Sequence, residues 1–66
     1  MVSYKKLLHI LVDRNLRLTN VIKSSGVSAS VVTKINNNEY IRLDTLEKIC
    51  IYLNIQVQEA IEFIDD

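Results

Sequence analysis

The fold is decided by residues 18–35, which read LTNVIKSSGVSASVVTKI. This stretch contains Gly26, the single glycine of the chain, and helices often end at a glycine because it adopts positive φ without a Cβ penalty. Ser28 follows two residues later, and its hydroxyl can cap a new helix by accepting a hydrogen bond from a backbone N–H two or three residues on. The stretch therefore predicts a short helix, a tight turn and a second helix over about residues 28–36.

The second of these helices has two different faces. Val31 or Val32, together with Ile35, can face the interior. The outward residues are small or polar: Ala29, Ser30, Thr33 and Lys34. Such a row, ending in a lysine, suits entry into a DNA major groove.

These residues resemble the helix-turn-helix of the lambda-repressor-like family, the Cro-and-repressor (XRE) type of small bacterial and phage regulators. The matching features are Val21, Ile22, the Gly26-Val27-Ser28 turn, Val32 and Ile35. Residues 43–55, LDTLEKICIYLNI, are similar to the fourth helix of the family, and the likeness extends over about residues 4–64. The family often has glutamine at Leu18 and alanine at Ile22, and it usually has glycine at Asn38.

The resemblance implies that double-stranded DNA is the partner and that the helix over about residues 28–36 enters the major groove. The DNA-binding residues that it implies are Ser28, Ala29, Ser30, Thr33 and Lys34, with Arg17, Thr19, Asn37, Asn38 and Arg42 as candidates for holding the DNA backbone. Lys34 can donate to guanine O6 or N7, or instead to a phosphate, and the sequence leaves both open. Ala29 can offer a methyl contact to thymine.

Apolar spacing along the rest of the chain predicts an all-α fold, a compact bundle of five short helices in a single domain over residues 1–66. The helix-turn-helix is formed by helices 2 and 3. The first helix is expected to begin after a Ser3 N-cap and to run to Asn15, with a buried stripe of Tyr4, Leu7, Leu8, Leu11 and Val12. Leu16, Tyr40 and Ile41 are expected to pack into the core from the connecting segments.

The last third of the chain predicts two more helices. The fourth opens at Leu43 or Asp44 and ends at Asn54, with an apolar stripe of Leu43, Leu46, Ile49, Cys50 and Leu53. The fifth is expected over about residues 57–63, and the acidic pair at residues 65–66 is expected to be a solvated tail. A strand over residues 39–42 is rejected because no second strand is available to pair with it.

The net charge is zero, but its distribution is uneven. Residues 1–34 carry six basic residues against Asp13 alone, a balance of +5. Residues 35–66 carry two basic residues against seven acidic ones, a balance of −5. The molecule can therefore present a cationic face to phosphate while its acidic end points away.

Catalytic, metal and cofactor sites are not predicted. His9 is the single histidine and Cys50 the single cysteine, whereas a zinc site needs about four such ligands. The chain has no glycine-rich phosphate loop. Cys50 is expected to be a buried small hydrophobe in a reducing compartment. With no apolar run of ~18 residues and no signal-peptide pattern, the protein is predicted to be a soluble, cytoplasmic non-enzyme without a membrane segment.

Spare apolar side chains near the C-terminus indicate a possible homodimer through the C-terminal helices, by way of Tyr52, Ile61, Phe63 and Ile64. A monomer with a few exposed hydrophobes is the alternative. A second hypothesis for function is a protein-interaction module on the same fold, anti-repressor or antitoxin-like, that does not bind DNA. The neutral net charge and the short base-reading side chains favour it, and the basic first half disfavours it.

Overall fold

The computed structural model describes residues 1–65, and Asp66, the end of the predicted domain and tail, lies outside them. Five helices and two short strands follow one another: β1 (Val2–Ser3), α1 (Lys5–Asp13), α2 (Leu18–Ser24), α3 (Ser30–Asn36), α4 (Leu43–Leu53), α5 (Val57–Ala60) and β2 (Glu62–Phe63). The predicted all-α class is confirmed, as is the helix-turn-helix made of α2 and α3. The strand pair was not predicted.

Buried apolar side chains from the first four helices meet in one cluster. Leu7 of α1, Ile22 of α2, Ile35 of α3 and Ile49 of α4 are each at most 1% exposed. Burying a side chain of this size stabilises the fold by about 1.5–3 kcal/mol relative to leaving it in water. Cys50 is buried in the same cluster, as its place on the apolar stripe predicted.

Four helices end in the same way, with one residue in the left-handed region. The residues with positive φ are Asn15, Gly26, Asn38 and Asn54, at the ends of α1, α2, α3 and α4. At the end of α3, the Asn38 amide donates to the Ile35 carbonyl and the Glu39 amide donates to the Lys34 carbonyl, at 3.2 and 2.9 Å. This is the Schellman arrangement, which satisfies carbonyls that the helix leaves unpaired. Asparagine serves there because it tolerates the left-handed region better than other residues with a Cβ.

The C-terminal prediction was wrong in one respect, because α5 ends at Ala60 and not near residue 63. Ile61 is extended, and β2 then pairs antiparallel with β1, Val2 facing Phe63 and Ser3 facing Glu62. The partner strand lies about 60 residues away in the sequence, so local spacing gave no sign of it. Residues 61–64, IEFI, are nevertheless rich in β-formers.

The predicted N-cap at Ser3 was also wrong, since Ser3 belongs to β1 and α1 begins at Lys5. The Ser3 hydroxyl does accept a hydrogen bond from the Lys5 amide, at 3.3 Å. The strand takes Ser3 because its backbone pairs with Glu62 across the sheet.

Four side chains expected in the core are exposed: Val12 (76%), Leu43 (76%), Tyr40 (68%) and Leu16 (37%). Val12 follows Leu11 by one residue, which turns it about 100° away from the buried face of α1. Leu43 is the first residue of α4, one turn before Leu46 reaches the core. Ile41 packs against the core, and its neighbour Tyr40 is left outside.

Within residues 1–65, none of the helices has the length and apolar character needed to cross a membrane. Over the same residues, no three His, Cys, Asp or Glu side chains gather where they could hold a metal ion. Residues 39–42 form no strand, in agreement with the prediction.

Candidate nucleic-acid interface

The turn between α2 and α3 is built around Gly26. Its φ is +76°, and its amide donates to the Lys23 carbonyl at 3.2 Å, which closes α2. The Ser28 hydroxyl accepts from the Ser30 amide at 3.4 Å, two residues on, but the N-cap residue of α3 is Ala29 and not the predicted Ser28. The α-helix itself begins at Ser30 and not at Ser28. The turn before it has hydrogen bonds that span three residues in place of four, such as the bond from the Val31 amide to the Ser28 carbonyl at 3.1 Å.

The turn orients α3 so that one face packs and the other faces solvent. Val31 and Ile35 are buried, which decides between Val31 and Val32 as the inward residue, since Val32 is only partly buried. The predicted outward residues are all exposed: Ser28, Ala29, Ser30, Thr33 and Lys34. The hydroxyls of Ser28 and Ser30 lie 3.0 Å apart and share a hydrogen bond.

A shallow groove runs between α2 and α3. It brings together three of the sequence-predicted site residues, Thr19, Ala29 and Thr33. Val27 and Val32 also line the groove, although neither was predicted to belong to this surface. The spacing from Ala29 to Val32 and Thr33 is three and four residues, which places all three on one side of a helix and was the available signal.

The residues after α3 differ in whether their side chains are already bound within the fold. Asn37 is exposed, whereas Asn38 is partly buried and its side-chain oxygen accepts a 3.3 Å hydrogen bond from the Tyr4 amide. Arg42 makes a two-pronged contact with Asp44, Nε to Oδ1 and Nη2 to Oδ2, each at 3.2 Å. Both side chains are more than half exposed, and such a surface pair contributes only about 0–1 kcal/mol, so a phosphate can compete for Arg42.

The charges around the helix-turn-helix have one sign. Residues 14–38 contain no aspartate or glutamate and carry Arg14, Arg17, Lys23 and Lys34. Arg14 is used within the fold, where its guanidinium donates to the Leu53 carbonyl at the end of α4. The other three are exposed, so the surface around α2 and α3 attracts an anionic partner.

Lys6 and Cys50 belong to the rest of the fold. The Lys6 ammonium donates to the Gln58 carbonyl of α5, so it is also engaged internally. Burial raises the pKa of the Cys50 thiol, and the nearby Glu59 carboxylate raises it further. A raised pKa disfavours the thiolate, which is the nucleophilic form.

Residues 6–66 match the model of a protein family described as the Cro/C1-type HTH DNA-binding domain. The chain therefore belongs to the Cro/C1-type helix-turn-helix DNA-binding domains. Among solved structures, it is similar to "Crystal structure of transcriptional regulator VanUg, Form II", with a TM-score of 0.93 and 37% sequence identity. The similarity covers 98% of this chain and 87% of that one. No curated protein sequence is significantly similar to this chain.

Proposed function

We propose that this protein is a sequence-specific DNA-binding transcriptional regulator, that residues 1–66 act as one domain, and that α3 enters the major groove. The observation that supports it is the exposed row on α3, which lies within a cationic segment without acidic residues, residues 14–38. The family of the chain is one of DNA-binding domains, and its structural neighbour is a transcriptional regulator. We propose likewise that the protein acts in the cytoplasm and is not an enzyme.

Base reading is assigned to the exposed face of α3. Ser30 and Lys34 supply polar groups that reach base edges, and Lys34 can donate to guanine O6 or N7 or to a phosphate. Ala29 and Thr33 present methyl groups beside the groove between α2 and α3, where the 5-methyl group of a thymine can pack. No arginine or glutamine stands in this row, so direct readout by one copy of the chain is limited.

Backbone binding is assigned to residues on both sides of α3. Arg17 and Thr19 lie at the start of α2, while Asn37 and Arg42 follow α3, and all four are exposed. Asn38 has its side-chain oxygen bound to the Tyr4 amide, which leaves its side-chain N–H groups for a phosphate. Few cationic contacts imply a shallow dependence of affinity on salt.

One copy of α3 has only short base-reading side chains and so has limited specificity. Pairing of two copies would add specificity, because a two-fold dimer reads two half-sites. The proposed contact surface contains the exposed side chains of Tyr52, Phe63 and Ile64, together with Ile61, which is partly buried against the core. Phe63 belongs to β2 and not to a fifth helix, yet it is 77% exposed and thus available to a second copy. Sedimentation of Phe63→Ser tests this, with Val12→Ser as control because Val12 on α1 is 76% exposed. The proposal requires that only Phe63→Ser lowers the dimer fraction.

The deciding experiment for DNA binding is a gel shift against random duplex at two salt concentrations. A regulator associates with random duplex, and the association weakens as salt rises, because bound cations on DNA are displaced by Lys and Arg. Absence of salt-sensitive association would overturn the proposal and favour the protein-interaction module. That alternative is supported by the apolar groove between α4 and α5, where Leu43 and Ile51 are more than 70% exposed.

A further inference from the structure

Two hydrogen bonds from Tyr4 reach across the molecule to the turn that ends α3. The phenol donates to the Glu39 carbonyl oxygen at 2.6 Å, and the Tyr4 amide donates to the Asn38 side-chain oxygen at 3.3 Å. Tyr4 is only 1% exposed, so water has little access to its donor groups in both bonds. Burial raises the pKa of the Tyr4 phenol, which is the protonated donor in the bond to Glu39.

The turn itself has a backbone that depends on support from its surroundings. Asn38 has φ +55°, in the left-handed region, which asparagine tolerates better than other residues with a Cβ but which still carries a backbone cost. On one side the turn is held by the carbonyls of Lys34 and Ile35. On the other side it is held by Tyr4, whose bonds secure both Asn38 and Glu39.

Asn37 lies directly before this secured pair and is exposed at the end of α3. A neutral amide donor binds a phosphate oxygen only at a favourable distance and angle, and its bond weakens steeply when the angle falls. Asn37 therefore gains from a backbone with one fixed conformation, whereas a long cationic side chain would adjust to the phosphate by itself.

We propose that Tyr4, acting with Asn38, is a positioning residue for DNA-backbone binding, because it fixes the turn at residues 37–39 and so presents Asn37 to a phosphate. This inference rests on the proposed DNA-binding function. Asn38 adds the second bond of the contact.

The first test compares Tyr4→Phe with Tyr40→Phe. Tyr4→Phe keeps the buried ring and removes the donor to Glu39, while Tyr40 is 68% exposed in the segment between α3 and α4 and serves as the matched control. Affinities for a selected site and for random duplex are measured on protein shown to be folded by circular dichroism. Tyr4→Phe is expected to weaken both by the same factor, roughly 3- to 10-fold for one hydrogen bond, because phosphate contacts carry no sequence information. Tyr40→Phe is expected to match the wild type.

The second test is a double-mutant cycle with Asn37→Ala. If Tyr4 acts through Asn37, Tyr4→Phe causes no further loss of affinity once Asn37 has been removed. A purely structural Tyr4 would give losses that multiply, or no loss in the folded protein, and either result overturns the inference. Asn38→Gly keeps the positive φ and removes the bond to Tyr4 together with the side-chain N–H groups assigned to a phosphate. It should therefore lower affinity uniformly, and by at least as much as Tyr4→Phe does.

Measurements on the wild type distinguish failure of the proposed DNA-binding function from failure of the proposed role of Tyr4. A wild type without salt-sensitive binding to random duplex overturns the DNA-binding function and this inference with it. A wild type that binds, alongside Tyr4→Phe and Asn38→Gly variants that bind equally well, overturns only the role of Tyr4.

Discussion

Val2 and Phe63 face each other across the small sheet that joins the two ends of the described chain, but Val2 is 2% exposed and Phe63 is 77% exposed. The pairing is reinforced by Met1 and Ile64, whose backbone groups exchange two hydrogen bonds of 2.9 Å each. The sheet thus closes the core with Val2 and leaves an aromatic ring of β2 at the surface.

This difference in exposure predicts different effects on stability. Val2→Ala removes buried methyl groups and should lower the free energy of unfolding by about 1–3 kcal/mol. Phe63→Ala changes an exposed side chain and should alter it by less than about 0.5 kcal/mol in the monomer. Urea unfolding at low protein concentration measures both, and equal losses would contradict the assignment of Val2 to the core.

Gly26 predicts a cost that comes from the backbone alone. Its φ is +76°, and a Cβ added there would have nothing within 4 Å, so no clash contributes. Gly26→Ala should therefore lower the free energy of unfolding by about 1–2 kcal/mol, the penalty of the left-handed region. Gly26→Asn should cost less, because asparagine occupies the same conformation at positions 15, 38 and 54. Thermal or urea unfolding of both variants decides; a harmless alanine would show that the turn relaxes to another φ.

The features that could be predicted from sequence are those with local causes. Gly26 and the asparagines of residues 36–38 indicated helix ends, because glycine and asparagine are the residue types that most often adopt the left-handed conformation there. The buried faces of α1 and α4 followed from apolar spacing, except at Val12 and Leu43, which lie at the margins of their stripes.

The features that could not be predicted depend on contacts between distant residues. The pairing of Val2 with Phe63 and the bond from Tyr4 to Glu39 join residues that no short motif connects. Tyr4 was placed correctly on a buried stripe, but nothing local indicated what its hydroxyl would bind. In the site, the spacing of residues predicted the exposed row on α3. The hydrogen bonds of Asn38 with Tyr4 and of Arg42 with Asp44 could not be predicted, because they depend on the three-dimensional arrangement of the side chains.

The groove beside Ala29 and Thr33 predicts sensitivity to a single methyl group on the DNA. Replacing the contacted thymine by uracil removes that methyl and should weaken binding by about 0.8 kcal/mol, the contribution of one buried carbon group. The measurement scans uracil through a selected site, with a uracil outside the site as control. The prediction fails if no position in the site responds to loss of the methyl group.

The placement of α3 in the major groove is tested most directly by Lys34→Ala on a site selected with the purified protein. If Lys34 reads a base, the variant should lose about 1–3 kcal/mol of binding free energy at that site, with a smaller loss on random duplex. If Lys34 binds a phosphate, the loss should be equal on both. Lys48→Ala removes the same charge from α4 and should leave both affinities near those of the wild type. Lys34→Ala and Thr33→Ala variants that both bind the selected site as tightly as the wild type would contradict the account.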